Sequence, residues 1–228
     1  MANSYGPQSI VQDGLVVCLD FLNPFCYTEG ATSATNLGTG TLTATIPAAW
    51  STADGHMKCT GTAATITLSS PNVDVTTGQT YEVWTKGNTA QFGLIEGETS
   101  GGAAMAEGVQ IHFYQTPAGN AYIRGSAAGP AYDTGDIITP DEWINLTVIF
   151  QANDSGGAGG SANCIVYKNG VLHGNGDVAN IVVPTNTIKL GDPYSLTDDY
   201  LDIWRVYHRE LTAAEILQNY NATKNRFQ

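Results

Sequence analysis

"YLDIWRVYHRELTAAEILQNYNATKNRF" (200–227) joins an alternating strand to a capped helix, and this junction decides the fold. Side chains alternate between the two faces of a strand. Over 200–207, Tyr200, Asp202, Trp204 and Val206 therefore fall on one face, and Leu201, Ile203, Arg205 and Tyr207 on the other. Both faces carry apolar bulk, so the strand is expected to be covered on both sides. The helix begins at Thr212. Thr212 and Glu215 have the T-x-x-E spacing of a capping box, in which each residue satisfies an orphan N–H at the helix start. Leu211 and Ile216 occupy the two positions of a hydrophobic staple. Ile216 and Tyr220 stand four apart and share a helix face. A helix of about 12 residues is marginal in isolation, so that face is expected to dock on the sheet.

Working outward from this junction, the chain is strand-rich. "GLVVCLDFL" (14–22) alternates, with Leu15, Val17, Leu19 and Phe21 on one face. "LTATI", "HMKCT" and "ATITL" are short strand candidates between residues 42 and 68. "QTYEVWTKG" (79–87) and "AQFGLIEG" (90–97) follow, with a loop read over 98–108. "VQIHFYQ" and "NAYIRGS" flank the turn signal "TPAG" and form a hairpin. "EWINLTVIFQ" (142–151) is a long β-rich run, and "NDSGGAGGSAN" (153–163) is a glycine-rich surface connection. Asn169-Gly170 separates two further strands, a pairing suited to a type I′ turn because both positions need positive φ. "NTIKLGD" precedes the final strand. Residues 1–13 are polar, contain Pro7 and read as an N-terminal arm. Residues 14–228 read as one domain, because no linker has a core on both sides of it.

Composition agrees with this reading. In 228 residues there are 26 glycines, and charged residues make up 13%. Many short strands joined by Gly, Thr, Ser and Asn turns produce such a profile. A hydrophobic content of 42% is enough for a sizeable core. Nine Lys+Arg against 21 Asp+Glu give a net charge of −12. That charge argues against nucleic acid as a partner, since affinity for phosphate backbones comes largely from cationic neutralisation. No apolar run approaches the ~18 residues of a membrane-spanning helix, so no membrane insertion is expected. The start "MANSYGPQSIVQDG" has no basic or apolar leader pattern. Cys18, Cys26, Cys59 and Cys164 form no C-x-x-C pair, and all four are read as reduced thiols of a protein folded in a reducing cytoplasm.

The closing stretch resembles the terminal motif of concanavalin A-like, laminin-G-like jelly-roll domains. "IVQDGLVVCLDFLNPFCY" (10–27) is similar to their opening strand. "EWINLTVIFQ", "CIVYKNGVLHG" and "TIKLGD" resemble the family's run of a Trp-led strand, an N-G hairpin and a strand ending in Gly. Residues 28–80 carry no part of the resemblance. The resemblance implies an all-β fold, an antiparallel two-sheet jelly-roll sandwich with one short C-terminal helix. The "GLV…LD" opening and "NYNA.K.RF" ending resemble modules of tailed-bacteriophage structural proteins in particular. It thus implies a non-enzymatic virion protein, a capsid decoration, fibre or tail appendage that stabilises the particle or attaches it to host surface glycans. Its partners would be other virion proteins and further copies of itself. A glycan-binding module of a bacterial surface or secreted protein, which would be extracellular, is the alternative.

Enzyme chemistry finds little footing. A retaining glycanase needs two carboxyl groups about 5–5.5 Å apart, which on this fold an E-x-D-x-x-E strand would supply. No such pattern is present. Glu96 and Glu98 flank Gly97, and adjacent Asp141 and Glu142 would point apart. The histidines at 56, 112, 173 and 208 are scattered. No catalytic residue is assigned. Asp192, Asp198 and Asp199 bracket "PYSLT" and offer the hard oxygen ligands that suit calcium, and relatives often place calcium at one rim of the sandwich. Tyr114, Tyr122, Tyr132 and Tyr194 lie near turns and are the candidate glycan contacts.

Overall fold

A computed structural model describes residues 9–53, 55–60, 65–69, 77–87, 92–98, 110–114, 120–124, 132–152, 161–179, 187–191 and 199–227. The strands are β1 (Leu15–Asp20), β2 (Ser33–Thr35), β3 (Thr43–Thr45), β4 (Trp50–Ala53), β5 (His56–Cys59), β6 (Ile66–Ser69), β7 (Gln79–Lys86) and β8 (Phe92–Glu98). They continue with β9 (Gln110–Tyr114), β10 (Asn120–Arg124), β11 (Tyr132–Asp136), β12 (Ile144–Phe150), β13 (Ser161–Lys168), β14 (Val171–Ala179), β15 (Thr187–Leu190) and β16 (Tyr200–Tyr207). Helix α1 (Ala213–Thr223) and a 3-10 turn (Lys224–Arg226) close the chain.

Two eight-stranded antiparallel sheets pack face to face. One runs β14-β13-β12-β7-β16-β5-β4, with β1 also on β16; the other runs β11-β10-β9-β8-β15-β6-β3-β2. Their facing sides interdigitate around Val17, Leu19, Tyr81, Val83, Leu146, Val148, Phe150, Val166, Trp204 and Val206. This is the expected all-β sandwich. The hairpin read around "TPAG" is β9–β10, and the one at Asn169-Gly170 is β13–β14, with φ of 53° and 77° at its two turn residues. Several short strands escape an alternation reading. "SAT" is too brief to show a pattern, and "YDTGD" is mostly polar. Glu96, Gly97 and Glu98 are the last three residues of β8. The loop read over 153–163 is strand from Ser161 onward, and its earlier part lies outside the described residues, as do 99–109.

The outer face of the first sheet is also covered, by α1 and the segment before β1. Val11, Leu15, Cys18, Ile149, Tyr207, Leu211 and Ile216 form a second core there. Beside it, one buried carboxylate organises the polar contacts. Glu82 accepts from Arg205 (2.8 Å) and Asn145 (3.1 Å) through Oε1, and from Asn219 (2.8 Å) through Oε2. Asn219 Oδ1 in turn accepts the Val11 N–H at 2.8 Å. A buried charge needs such full pairing, because an unpaired one costs several kcal/mol. The network joins β7, β12, β16, α1 and the chain before β1.

Two register shifts correct the simple alternation. Between Leu201 and Ile203 the β16–β7 ladder slips, and Asp202 becomes an extra residue. Leu201 therefore turns inward with Trp204 and Val206, while Ile203 packs outside with Trp84 and Phe227. A similar slip between Leu15 and Val17 sends Leu15 to the outer core, away from Val17, Leu19 and Phe21.

Candidate functional site

The slip at Asp202 builds the most chemically distinctive place in the described structure. Such bulges re-aim a side chain. Here the Asp202 carboxylate turns toward β5, where Oδ1 accepts the Met57 N–H at 2.7 Å and Oδ2 meets His56 Nδ1. Asp202 is fully buried, whereas the His56 side chain keeps 24% of its exposure. Burial raises the Asp202 carboxyl above its usual range. Hydrogen bonds from His56 and the Met57 N–H oppose the rise, as do the charges of His56 and Arg226.

His56 sits among aromatic rings from three distant segments. Trp143 lies 4.7 Å from it, Phe227 6.0 Å and Tyr200 6.4 Å, centroid to centroid. Trp143 is also 4.9 Å from Phe227 and 5.7 Å from Tyr200. Deeper in, Phe227 stacks on Trp84 at 4.1 Å, and Trp84 Nε1 donates to Thr223 Oγ1 at 2.9 Å. The cluster thus grades from a buried base, Trp84 and Phe227, to a half-exposed surface formed by Trp143, His56 and Tyr200.

Local structure presents each ring. Trp143 follows a tight turn in which Asp141 takes φ of 62° and donates its N–H to Gly87 O. Tyr200 opens β16, with Lys58 of β5 and Lys86 of β7 as its cross-strand partners. Both ammonium groups lie over its ring, at 5.4 Å and 5.2 Å from the centroid. Arg226 lies 5.8 Å from the Phe227 ring and holds Asp20 through paired bonds of 2.7 Å and 2.6 Å. Rings such as these offer flat apolar contact and the lysines offer hydrogen-bond donors. Asp202 is committed to His56 and the Met57 N–H.

Of the residues expected from sequence, the structure describes the side chains of Tyr122, Tyr132 and Asp199. Tyr122 is half-buried on β10, opposite Asp133. Tyr132, half-buried at the start of β11, lies over the backbone of β14. A Cβ built at Gly174 or Gly176 would come within 2.5 Å or 2.1 Å of its side chain, so glycine there makes room for the ring. Tyr114 ends β9, and its side chain lies outside the described part, as does the whole of Tyr194. Asp199 is buried just before β16, where its carbonyl accepts the Cys59 N–H; Asp192 and Asp198 lie outside the described residues. Among the described residues, no group of three or more His, Cys, Asp or Glu is placed to hold a metal. Tyr122 and Tyr132, both on the second sheet, are not part of the cluster at Trp143. The cluster escaped a sequence reading because it draws on residues 56, 143, 200 and 227, which no local pattern links. The one local signal was Trp143 itself, a large ring placed just after the polar pair Asp141-Glu142.

Comparison with known proteins places the molecule. It is similar to the binding domain of botulinum neurotoxin serotype D, with a TM-score of 0.69 and 12% identity over 93% of this chain and 52% of that one. It is similar also to a Trypanosoma rangeli sialidase, solved with a difluorinated nononic acid, with a TM-score of 0.66 and 14% identity over 100% of this chain and 36% of that one. The receptor-binding domain of botulinum neurotoxin type G gives 0.64 and 11%, over 91% of this chain and 51% of that one. The chain thus spans about half of the toxin domains and about a third of the sialidase. At these identities the likeness is one of fold. No curated protein matches the sequence. A laminin G family model, described as the concanavalin A-like lectin/glucanases superfamily, matches residues 60–217, and with more than half of its length so covered the chain belongs to that superfamily.

Proposed function

We propose that this protein is a non-enzymatic attachment module that binds glycan at the Trp143–His56–Tyr200 surface, and that it does so as a structural component of a bacteriophage virion. The observation that carries the binding reading is the half-exposed ring cluster flanked by Lys58 and Lys86. A pyranose stacks its C–H face on such rings while its hydroxyls bond to neighbouring polar groups. A purely structural cluster would gain by burying these rings completely, at roughly 25 cal/mol per Å² of apolar surface. The virion placement rests on the likeness of the two chain ends to phage modules. A glycan array probed with the native protein and with Trp143→Ala tests the binding. We expect retained glycans to be lost in the variant while its melting temperature stays close to native. An array that retains nothing, or retains the variant equally, rejects this surface as the site. Peptide mass spectrometry of purified phage particles tests the placement, and absence of the chain from them leaves the extracellular module as the reading.

A further inference from the structure

We propose that the outer face of the first sheet carries a second binding site, a cavity floored by Cys18 and Arg205. Its ligand is a small uncharged molecule whose carbonyl oxygen accepts from the Arg205 guanidinium, with an apolar body against Ile10, Leu15 and Leu37. The cavity holds about 320 Å³ between the end of α1 and the segment at Leu37, near the lower end of the range for small-molecule sites. Trp143, His56 and Tyr200 do not line it, so this site stands or falls apart from the ring cluster. Strand order explains why Arg205 has a donor to offer. β16 lies between β7 and β1, which sets Glu82 across from Arg205 on one side and Cys18 on the other. Glu82 Oε1 accepts from Nη1 at 2.8 Å. The Cys18 thiol opposite is only a weak acceptor, and burial raises it above its usual range while the Arg205 charge opposes the rise. Arg205 is 1% exposed, and among the described residues its Nε has no hydrogen-bond partner. A buried donor left in this state carries its full desolvation cost. A side-chain oxygen at position 18 would remove that cost; the sequence has a thiol there, and beside it an open cavity.

Charge decides the class of ligand. Two guanidinium groups line the cavity, and each is already matched by one carboxylate, Arg205 by Glu82 and Arg226 by Asp20. Both Asp20 oxygens are held by Arg226, at 2.6 Å and 2.7 Å. The Thr223 hydroxyl is also engaged, accepting from Trp84 Nε1 and donating to Asn219 O. What is left at the floor is a donor with no net charge behind it. An entering carboxylate would bury an unmatched negative charge, which is strongly unfavourable. The oxygen of an amide or ketone satisfies the same donor and adds no charge. Leu15 is buried, whereas Ile10 and Leu37 keep part of their exposure and form the rim that covers the apolar body.

The probes are cyclohexanecarboxamide and cyclohexanecarboxylate, which share a shape and differ in charge. Each is titrated into the full chain and followed through its nitrogen–proton resonances. We expect the amide to bind at least tenfold more tightly than the acid and to shift the Arg205 Nε–H resonance. Cys18→Asn sets an acceptor oxygen beside Arg205 from within the chain, and should abolish amide binding while raising the melting temperature. Leu37→Trp fills the rim away from the Arg205–Glu82 pair, and should weaken the amide at least tenfold in a protein that melts close to native. Binding of neither probe overturns the site. An acid that binds as tightly as the amide overturns the uncharged class. An Arg205 resonance unmoved at saturating amide removes Arg205 as the donor. Amide affinity that survives Cys18→Asn overturns the orphaned donor as its anchor, and affinity that survives Leu37→Trp places the ligand outside this cavity.

Discussion

Thr212 and Glu215 show what one pair of residues can fix. Thr212 Oγ1 accepts the Glu215 N–H, and Glu215 Oε2 accepts the Thr212 N–H at 2.8 Å, the reciprocal box expected from the T-x-x-E spacing. It was legible because all its parts lie within four residues. Thr212→Ala should cost about 0.5–2 kcal/mol, read as a lower denaturation midpoint with glycan affinity unchanged; an unchanged midpoint would remove Thr212 from the cap. Glu215 carries a second contact that spacing did not reveal, a paired bond to Arg209 at 2.7 Å and 3.0 Å. The Arg209 hydrogen bonds, foremost, hold its carboxyl down at about 2 from an ordinary 4.5. A folded pKa below the unfolded one means stability that is present above pH 4.5 and lost as pH falls through about 2. In Glu215→Gln this contribution is missing at every pH. The melting-temperature gap between wild type and variant should therefore close on acidification from pH 5 to pH 2. A gap constant over that range would show that the ion pair does not influence folding.

Among the elements, β16 decides most. Its apolar content on both faces correctly foretold cover on both sides, and the core between the sheets follows from that. Its bulge was not legible, because an extra residue in a ladder is defined by the partner strand and leaves no mark in the strand's own alternation. The faces expected for Leu201 and Asp202 were consequently exchanged, and the His56–Asp202 contact went unseen along with the ring cluster around it. Nearness to a turn does not by itself set a tyrosine's exposure, which depends on what it packs over, as Tyr132 over β14 illustrates. The outer face of β16 also carries Arg205, whose partner Glu82 sits directly across on β7. Arg205→Met would strand a buried carboxylate and should cost about 3–5 kcal/mol in urea denaturation. Pairing it with Glu82→Leu should return much of that loss, since an apolar pair of similar volume is often neutral or better. If the double variant proves no more stable than the single, the penalty comes from packing and not from the orphaned charge.

At the scale of the whole molecule, the segment before β1 meets α1 on the outer face of the first sheet. The sequence showed residues 1–13 as a polar arm, and only the assembled sheet and α1 create the surface that receives residues 9–13. Val11 packs among Leu211, Ile216 and Tyr207, gives its N–H to Asn219 and accepts the Tyr207 hydroxyl at 3.2 Å. Ser9 O accepts from Gln218 at 2.7 Å. These contacts span about 200 positions in sequence, so they form only once the sandwich exists. Removing residues 2–12 would expose the Val11 seat and take away one hydrogen-bond partner each from Asn219 and Tyr207. Burial of a valine contributes about 1.5–3 kcal/mol and each of the three net hydrogen bonds about 1, so the truncated protein should lose about 4.5–6 kcal/mol while its circular dichroism keeps the β-sandwich signature. Val11→Ala, which leaves both backbone bonds in place, should lose only the apolar part. Full stability in the truncated chain would mean that residues 9–12 do not hold the fold, and would free them to dock against a neighbouring subunit.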